Sequence, residues 1–275
     1  MEFIQLLKLE LYFLFRRKEF LFVFTISLTL MVIAFLADCY NLFQSELMDI
    51  PPANQLWVGF GNKFGQAFYM FLLPLMPVMA YADTHYLNIK TGMYKNIFPR
   101  CHKSNYILAK GVVVLASGFF VVFFPLFINQ LLYLVIAPIH SSRHILNGWP
   151  AYTFYPSHTM LFEALFLSRP YLYNVLYMIM ASLVGSLAAL VSYAISFISN
   201  RSRLIIIATP VVVYSIYNFI TLLLINKKYS LYFYLIGSGS SGLSASYFFI
   251  SIVFCFIVSL AIIFLKNICN RDELY

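Results

Sequence analysis

The chain has 275 residues, 62% of them apolar and only 10% charged, with a net charge of +8. An average soluble domain carries about 25% charged residues, so this chain lacks the polar groups to cover a folded surface in water, and its solvent is lipid. Six apolar stretches and their loops use up the length, which leaves no room for an additional soluble catalytic domain and predicts one membrane domain over 1–275.

The first element is residues 2–18, a weakly amphipathic helix with Ile4, Leu7, Leu11, Leu14 and Phe15 on one face and Glu2, Gln5, Lys8 and Arg16 on others. Two arrangements fit it: an interfacial helix whose Lys and Arg reach headgroups, or an extension of the first span. It does not read as a cleavable signal, because the basic cluster Arg16–Lys18 follows an apolar stretch and no small-residue cleavage site stands near Ala37-Asp38-Cys39.

Spans are predicted at Phe20–Ala37, Gln66–Ala82, Tyr106–Ala137, Tyr171–Ser199, Leu204–Asn226 and Ser246–Leu265. Crossing a hydrocarbon core takes about 20 helical residues. The expected fold is an all-α polytopic membrane protein of six transmembrane helices, with an N-terminal interfacial helix and short outer interfacial helices.

Between the first two spans, Asp38–Gly65 is rich in turn signals, and Trp57 and Phe60 are expected as anchors in the headgroup region. Pro74 and Pro77 should bend the second span, either to shape a path or as a packing feature. Asp83–Asn105 then mixes basic with apolar side chains. Leu87, Tyr94 and Ile97 recur at spacings of seven and three, which predicts a short helix with an apolar strip. Leu87, Tyr94, Lys95, Ile97, Phe98 and Arg100 are the candidate docking residues for a partner; a segment resting on lipid is the other reading.

Further along, Pro138–Pro170 carries Trp149, Tyr152, Phe154, Tyr155 and the apolar run Met160–Leu167, which suits short interfacial helices. Asn200–Arg203 is a tight hairpin. In Lys227–Ala245 the aromatic patch Tyr229–Tyr234 dips into the interface or folds back on the bundle, and the run Gly237–Gly242 is expected to be flexible.

With both termini in the cytosol, 13 of the 18 basic residues fall on the cytosolic side and 5 on the other. The positive-inside rule favours that orientation, a multi-pass protein of the cell membrane, in keeping with a bacterial cytoplasmic membrane, and the charge is explained without nucleic acid.

Chemistry-bearing motifs are scarce. There is no G-x-x-x-x-G-K-[ST] phosphate loop, so no ATP hydrolysis by that route is expected, and no cofactor is expected in this chain. Gly237-Ser-Gly-Ser-Ser fails the G-x-S-x-G pattern, so no catalytic residue is assigned. His140 and His144 share i, i+4 spacing without a third ligand, so no metal site is assigned. The four cysteines, at 39, 101, 255 and 269, read as spectators. The spans carry almost no ionisable groups; Lys110 is expected to snorkel to the cytosol, with Asp38 and Asp83 at boundaries. A conduit powered from elsewhere is the remaining reading.

The arrangement resembles the membrane subunits of type-two ABC exporters, over nearly the whole chain. The likeness is most specific in Asp83, Gly92, Lys95, Ile97, Arg100, Ser104 and Tyr106–Lys110, an acidic–glycine–basic segment entering the third span, with Asn270–Leu274 similar in cast. The resemblance implies a permease domain in which residues 84–105 dock on cytosolic ABC ATPase subunits that hold ATP and Mg. It also implies a second membrane subunit, identical or related, and an amphipathic or apolar cargo such as a peptide, lipid-linked molecule or drug. The alternatives are a non-transporting membrane scaffold or immunity protein and, further off, an intramembrane enzyme.

Overall fold

The computed structural model describes residues 3–43, 50–60, 63–93, 101–139, 161–198, 202–239 and 242–269. Every regular element among them is helical, and six helices are long and apolar enough to cross a membrane. The protein is an all-α polytopic membrane protein.

In chain order, α1 (Phe3–Arg16) breaks at Arg17 and continues as α2 (Lys18–Leu42), the first span. The short α3 (Ala53–Leu56) and a 3-10 turn at Val58–Phe60 lead to the second span, Phe64–Lys90. That span is assembled from α4 (Lys63–Ala67), α5 (Leu73–Pro77) and α6 (Thr84–Lys90), separated by π-helical turns at Phe68–Leu72 and Val78–Ala82. Next come α7 (Lys103–Ile136), the third span, and a short α8 (Glu163–Ser168) before α9 (Pro170–Ile195), the fourth. The fifth span begins with α10 (Arg203–Ile220); α11 (Leu231–Tyr234) is a single turn, and α12 (Ala245–Cys269) forms the sixth.

Pro74 and Pro77 lie beside the two π turns of the second span. An α-helix would bond the Met70 carbonyl to the backbone nitrogen of residue 74, which as proline has no hydrogen to give. The first π turn contains Met70, and the second directly follows Pro77. The widened turns let the span continue without a break.

The fourth span is the centre, with 67% of its apolar window buried against 17% for the sixth. It packs along the third span, and small residues make this close approach feasible. A Cβ added at Gly118 would stand 2.9 Å from the Ser186 Cα and 3.3 Å from the Pro77 Cβ. One at Gly185 would stand 2.8 Å from a Val122 methyl and 3.0 Å from the Pro77 ring. Spans three and four therefore meet backbone to backbone at Gly118 and Ser186, with the Pro77 ring of span two packed against both Gly118 and Gly185.

At the end remote from α1, the segment after the first span folds into the bundle. Trp57 and Val58 are fully buried and Phe60 nearly so, which corrects the expectation of headgroup anchors. The Trp57 indole lies across Gly59, where a Cβ would come within 2.1 Å of the ring. Neutral amides pin this segment. Asn129 accepts from the Val58 N–H (3.1 Å) and donates to the Met31 carbonyl (3.1 Å), and Gln130 donates to the Ala53 carbonyl (3.1 Å). Asn174 Nδ2 donates to the Asn54 carbonyl (3.0 Å) and to Gln130 Oε1 (2.8 Å). Each amide is buried, so a missing partner would cost it the water bonds it gave up.

The later loop behaves similarly. Tyr234 is buried and Leu231 and Tyr232 pack against the core, so the later part of the aromatic patch folds back on the bundle while Tyr229 is exposed. Gly237, expected to be flexible, is packed: a Cβ there would meet Phe60 and Tyr173 at 3.3 and 3.4 Å, and its carbonyl accepts from the Tyr173 hydroxyl (3.0 Å). Ser240 and Ser241 lie outside the described residues, as do Trp149, Tyr152, Phe154 and Tyr155.

Helix α1 exists where expected and buries part of the expected face, Leu14 fully and Leu7 and Leu11 by half, but the face is rotated. Leu6, Glu10 and Leu14, one turn apart, face α7, while Ile4 (62% exposed) and Phe15 (58%) point outward. The rotation brings Glu10 to its partner inside, the Tyr81 hydroxyl.

Candidate functional site

Polar and charged side chains collect where α1, the start of α2, the second span, the third span and the fifth span come together. Arg17 is the single extended residue between α1 and α2 (φ −73°, ψ 123°), and the break turns its side chain inward. Glu19 sits in the first turn of α2, where the helix dipole favours a carboxylate. Asp83 joins the second π turn to α6 and is wholly buried. Arg203 opens α10, whose first turn is capped by Ser202 Oγ accepting from the Leu204 N–H (3.2 Å).

These four charges form one neutral set. Arg17 Nη2 donates to Asp83 Oδ1 at 2.7 Å, and Arg17 Nε donates to Glu19 Oε2 at 3.1 Å. Arg203 Nε lies 2.5 Å from Asp83 Oδ2, and its Nη2 lies 3.6 Å from Glu19 Oε1. Both Arg203 contacts are ion pairs by distance, and the Nε–Asp83 contact lacks the alignment of a hydrogen bond. Each guanidinium thus addresses both carboxylates, and Arg17 also lies over the Tyr81 ring at 5.5 Å. A carboxylate as buried as Asp83 persists as an ion only with such compensation.

Beside this set is a second group. The Tyr81 hydroxyl donates to Glu10 Oε2 at 2.7 Å. Lys110 Nζ donates to the Tyr106 hydroxyl at 2.9 Å. An ammonium has only donors, so the Asn88 amide oxygen is the end that faces it. In that orientation Asn88 accepts from Lys110 Nζ (2.6 Å) and from the Tyr106 hydroxyl (2.7 Å) while donating to the Thr84 carbonyl (3.2 Å). Lys110 is 1% exposed, which corrects the expectation that it snorkels: α7 starts at Lys103, two turns earlier, and α1 lies across it.

A cavity of about 280 Å³ opens between these groups, lined by Glu10, Arg17, Glu19, Tyr81, Asn88 and Lys110, with Phe13, Leu87 and Met93 as its apolar parts. His85, next to the cluster, is buried and stacked on Phe197 at 3.9 Å between ring centroids.

Of the candidate docking residues, Leu87 is on α6, half-buried, and lines this cavity. Tyr94, Lys95, Ile97, Phe98 and Arg100 lie outside the described residues, as do His140 and His144. One part of the expectation is corrected: Leu87 does not share a continuous helix with residues 94 and 97. Helix α6 ends at Lys90, and Gly92 takes a left-handed conformation (φ 70°), a common way for a helix to stop. Cys39, Cys101 and Cys255 form no disulfide, and burial pushes the Cys101 thiol up, away from reactive thiolate.

Glu10, Arg17 and Arg203 belong to no sequence motif that marks them as parts of a site. A signal was available for two members of the cluster: Glu10 is the one acid between Phe3 and Arg16, and Lys110 stands inside a long apolar run. No protein-family model, curated protein or solved structure matches this chain.

Proposed function

We propose that this chain is the membrane-spanning subunit of an ABC exporter, forming the path for an amphipathic or apolar cargo and driven by separate cytosolic ATPase subunits. The observation that carries the reading is the way the segment of strongest family likeness is tied to the bundle. Asp83, at its start, is held by Arg17 and Arg203; Asn88, Tyr106 and Lys110 tie α6 to the first turns of α7. A push on residues 91–102 would therefore reach α1, the second and third spans, and the fifth. In this reading both termini and the 84–105 segment face the cytosol, in accord with the basic-residue split. The ATPases supply ATP and Mg, and a second membrane subunit completes the path.

The docking residues remain Leu87, Tyr94, Lys95, Ile97, Phe98 and Arg100, with the apolar members buried at the contact and Lys95 and Arg100 addressing an acidic rim. Co-expression with the phosphate-loop ATPase encoded nearest to this chain's gene tests the reading. A stable complex whose ATP hydrolysis is stimulated by the membrane subunit is expected. Tyr94→Asp with Ile97→Asp should abolish both copurification and stimulation while membrane insertion stays intact. Unchanged assembly in that double variant would return the segment to a stretch resting on lipid.

A further inference from the structure

We propose that the cavity between α1 and the second and third spans binds a zwitterion bearing a primary ammonium and an anionic group, the chemistry of an ethanolamine phosphate headgroup. The inference does not rest on the transport reading.

It rests on two charges that have no direct ion pair among the described residues. Arg17, Arg203, Glu19 and Asp83 balance one another. Glu10 and Lys110 remain, 2% and 1% exposed, and neither is in an ion pair among the described residues, although both line the same cavity. Buried charges are costly unless paired, and here the opposite charges are set across a space instead of touching.

Each also has hydrogen-bonding capacity to spare. Lys110 uses two of its three ammonium protons, on Tyr106 and Asn88. Glu10 receives the Tyr81 hydroxyl on Oε2, and a carboxylate has room for several donors. A lone anion would satisfy Lys110 but sit near Glu10; a lone cation would do the reverse. A ligand carrying both charges completes both walls.

The volume, about 280 Å³, lies just below the usual range for small-molecule pockets and suits a headgroup without acyl chains. Phe13 and Met93, 38% and 44% exposed, put apolar surface at the rim, where the rest of a lipid would continue. The source is either an ethanolamine phospholipid of the adjoining leaflet or a free zwitterion of the same chemistry.

Native mass spectrometry of the delipidated full chain tests this, with phosphatidylethanolamine, phosphatidylglycerol and phosphatidylcholine of matched acyl chains and with free phosphoethanolamine. The ethanolamine lipid should be retained about tenfold more than the other two, since glycerol lacks the ammonium and choline cannot donate hydrogen bonds to Glu10; a tenfold ratio corresponds to about 1.4 kcal/mol. Glu10→Gln and Lys110→Met should each erase that preference. Should either variant fail to fold, the wild-type lipid series decides alone. Displacement by free phosphoethanolamine would assign the site to the soluble zwitterion as well, and displacement by the lipid alone would assign it to the leaflet. Equal retention of all three lipids without phosphoethanolamine binding, or a preference that survives both substitutions, would overturn the proposal and leave water between Glu10 and Lys110.

Discussion

At the end of the bundle that carries α1, four charged side chains from three separate segments exchange ion pairs; at the opposite end, three neutral amides hold backbone groups of distant segments, and two of them hold each other. The two fastenings respond differently to motion. An amide bond is short and directional, so displacing Asn129 or Asn174 orphans a buried group at once. The arginines can trade carboxylates, because each already addresses Glu19 and Asp83, and charge attraction falls off slowly with distance. The amide end is thus built to stay, and the charged end can shift while remaining paired.

The largest expected effect comes from Asp83→Ala, which leaves two guanidiniums, one of them mostly buried, with Glu19 as their one remaining carboxylate in the set. Removing one partner of a buried pair costs about 3–5 kcal/mol, to be read as a fall in the unfolding midpoint in detergent. A loss below about 1 kcal/mol, the ordinary value of a surface pair, would mean that the charged end is held by something else.

Asn174→Leu should cost about 1–3 kcal/mol by depriving Gln130 and the Asn54 carbonyl of a donor. That loss should be equal at low and high salt, whereas screening should reduce a loss at the exposed members of the charged end, Glu19 and Arg203. A strong salt dependence at Asn174 would erase the contrast. Gly118→Ala probes the packing between the two ends: the new methyl meets the Ser186 backbone, and overpacking of this kind costs about 1–3 kcal/mol. The smallest effect is expected for Arg203→Ala, since that side chain is 39% exposed and Arg17 still covers Asp83. About 1 kcal/mol or less, diminishing with added salt, is the expected result.

The six spans were legible because hydropathy is a local property, and most ends moved by a few residues, as where Leu204–Asn226 became Arg203–Leu223; the largest change is in the second span, where Gln66–Ala82 became Phe64–Lys90 and the helix runs on into the segment expected as a loop. Pro74 and Pro77 mark the second span as irregular because proline removes a donor from its own turn, but the π turns beside them were not foreseen. Trp57 was not, since the same composition serves a headgroup anchor and a buried plug, and only the amides of distant spans decide between them. The charged cluster was the hardest to see. Residues 10, 17, 83, 110 and 203 are brought together by tertiary packing, and Lys110 read by itself suggests snorkelling, because its partner Asn88 belongs to a different span.

The π turns of the second span have a consequence for rotational phase. Each holds one residue more than an α turn, so the helix beyond it is set back by about one residue's rotation, roughly 100° for a helix of 3.6 residues per turn. After two such turns, Asp83 is displaced by about half a revolution from where a uniform helix starting at Lys63 would carry it. A helical wheel drawn at constant pitch puts this aspartate on the wrong side of the span. Pro74 and Pro77 therefore act as angular offsets that aim Asp83 at Arg17 and Arg203, and a one-residue deletion between them and Asp83 would swing the carboxylate away although no charged residue had changed.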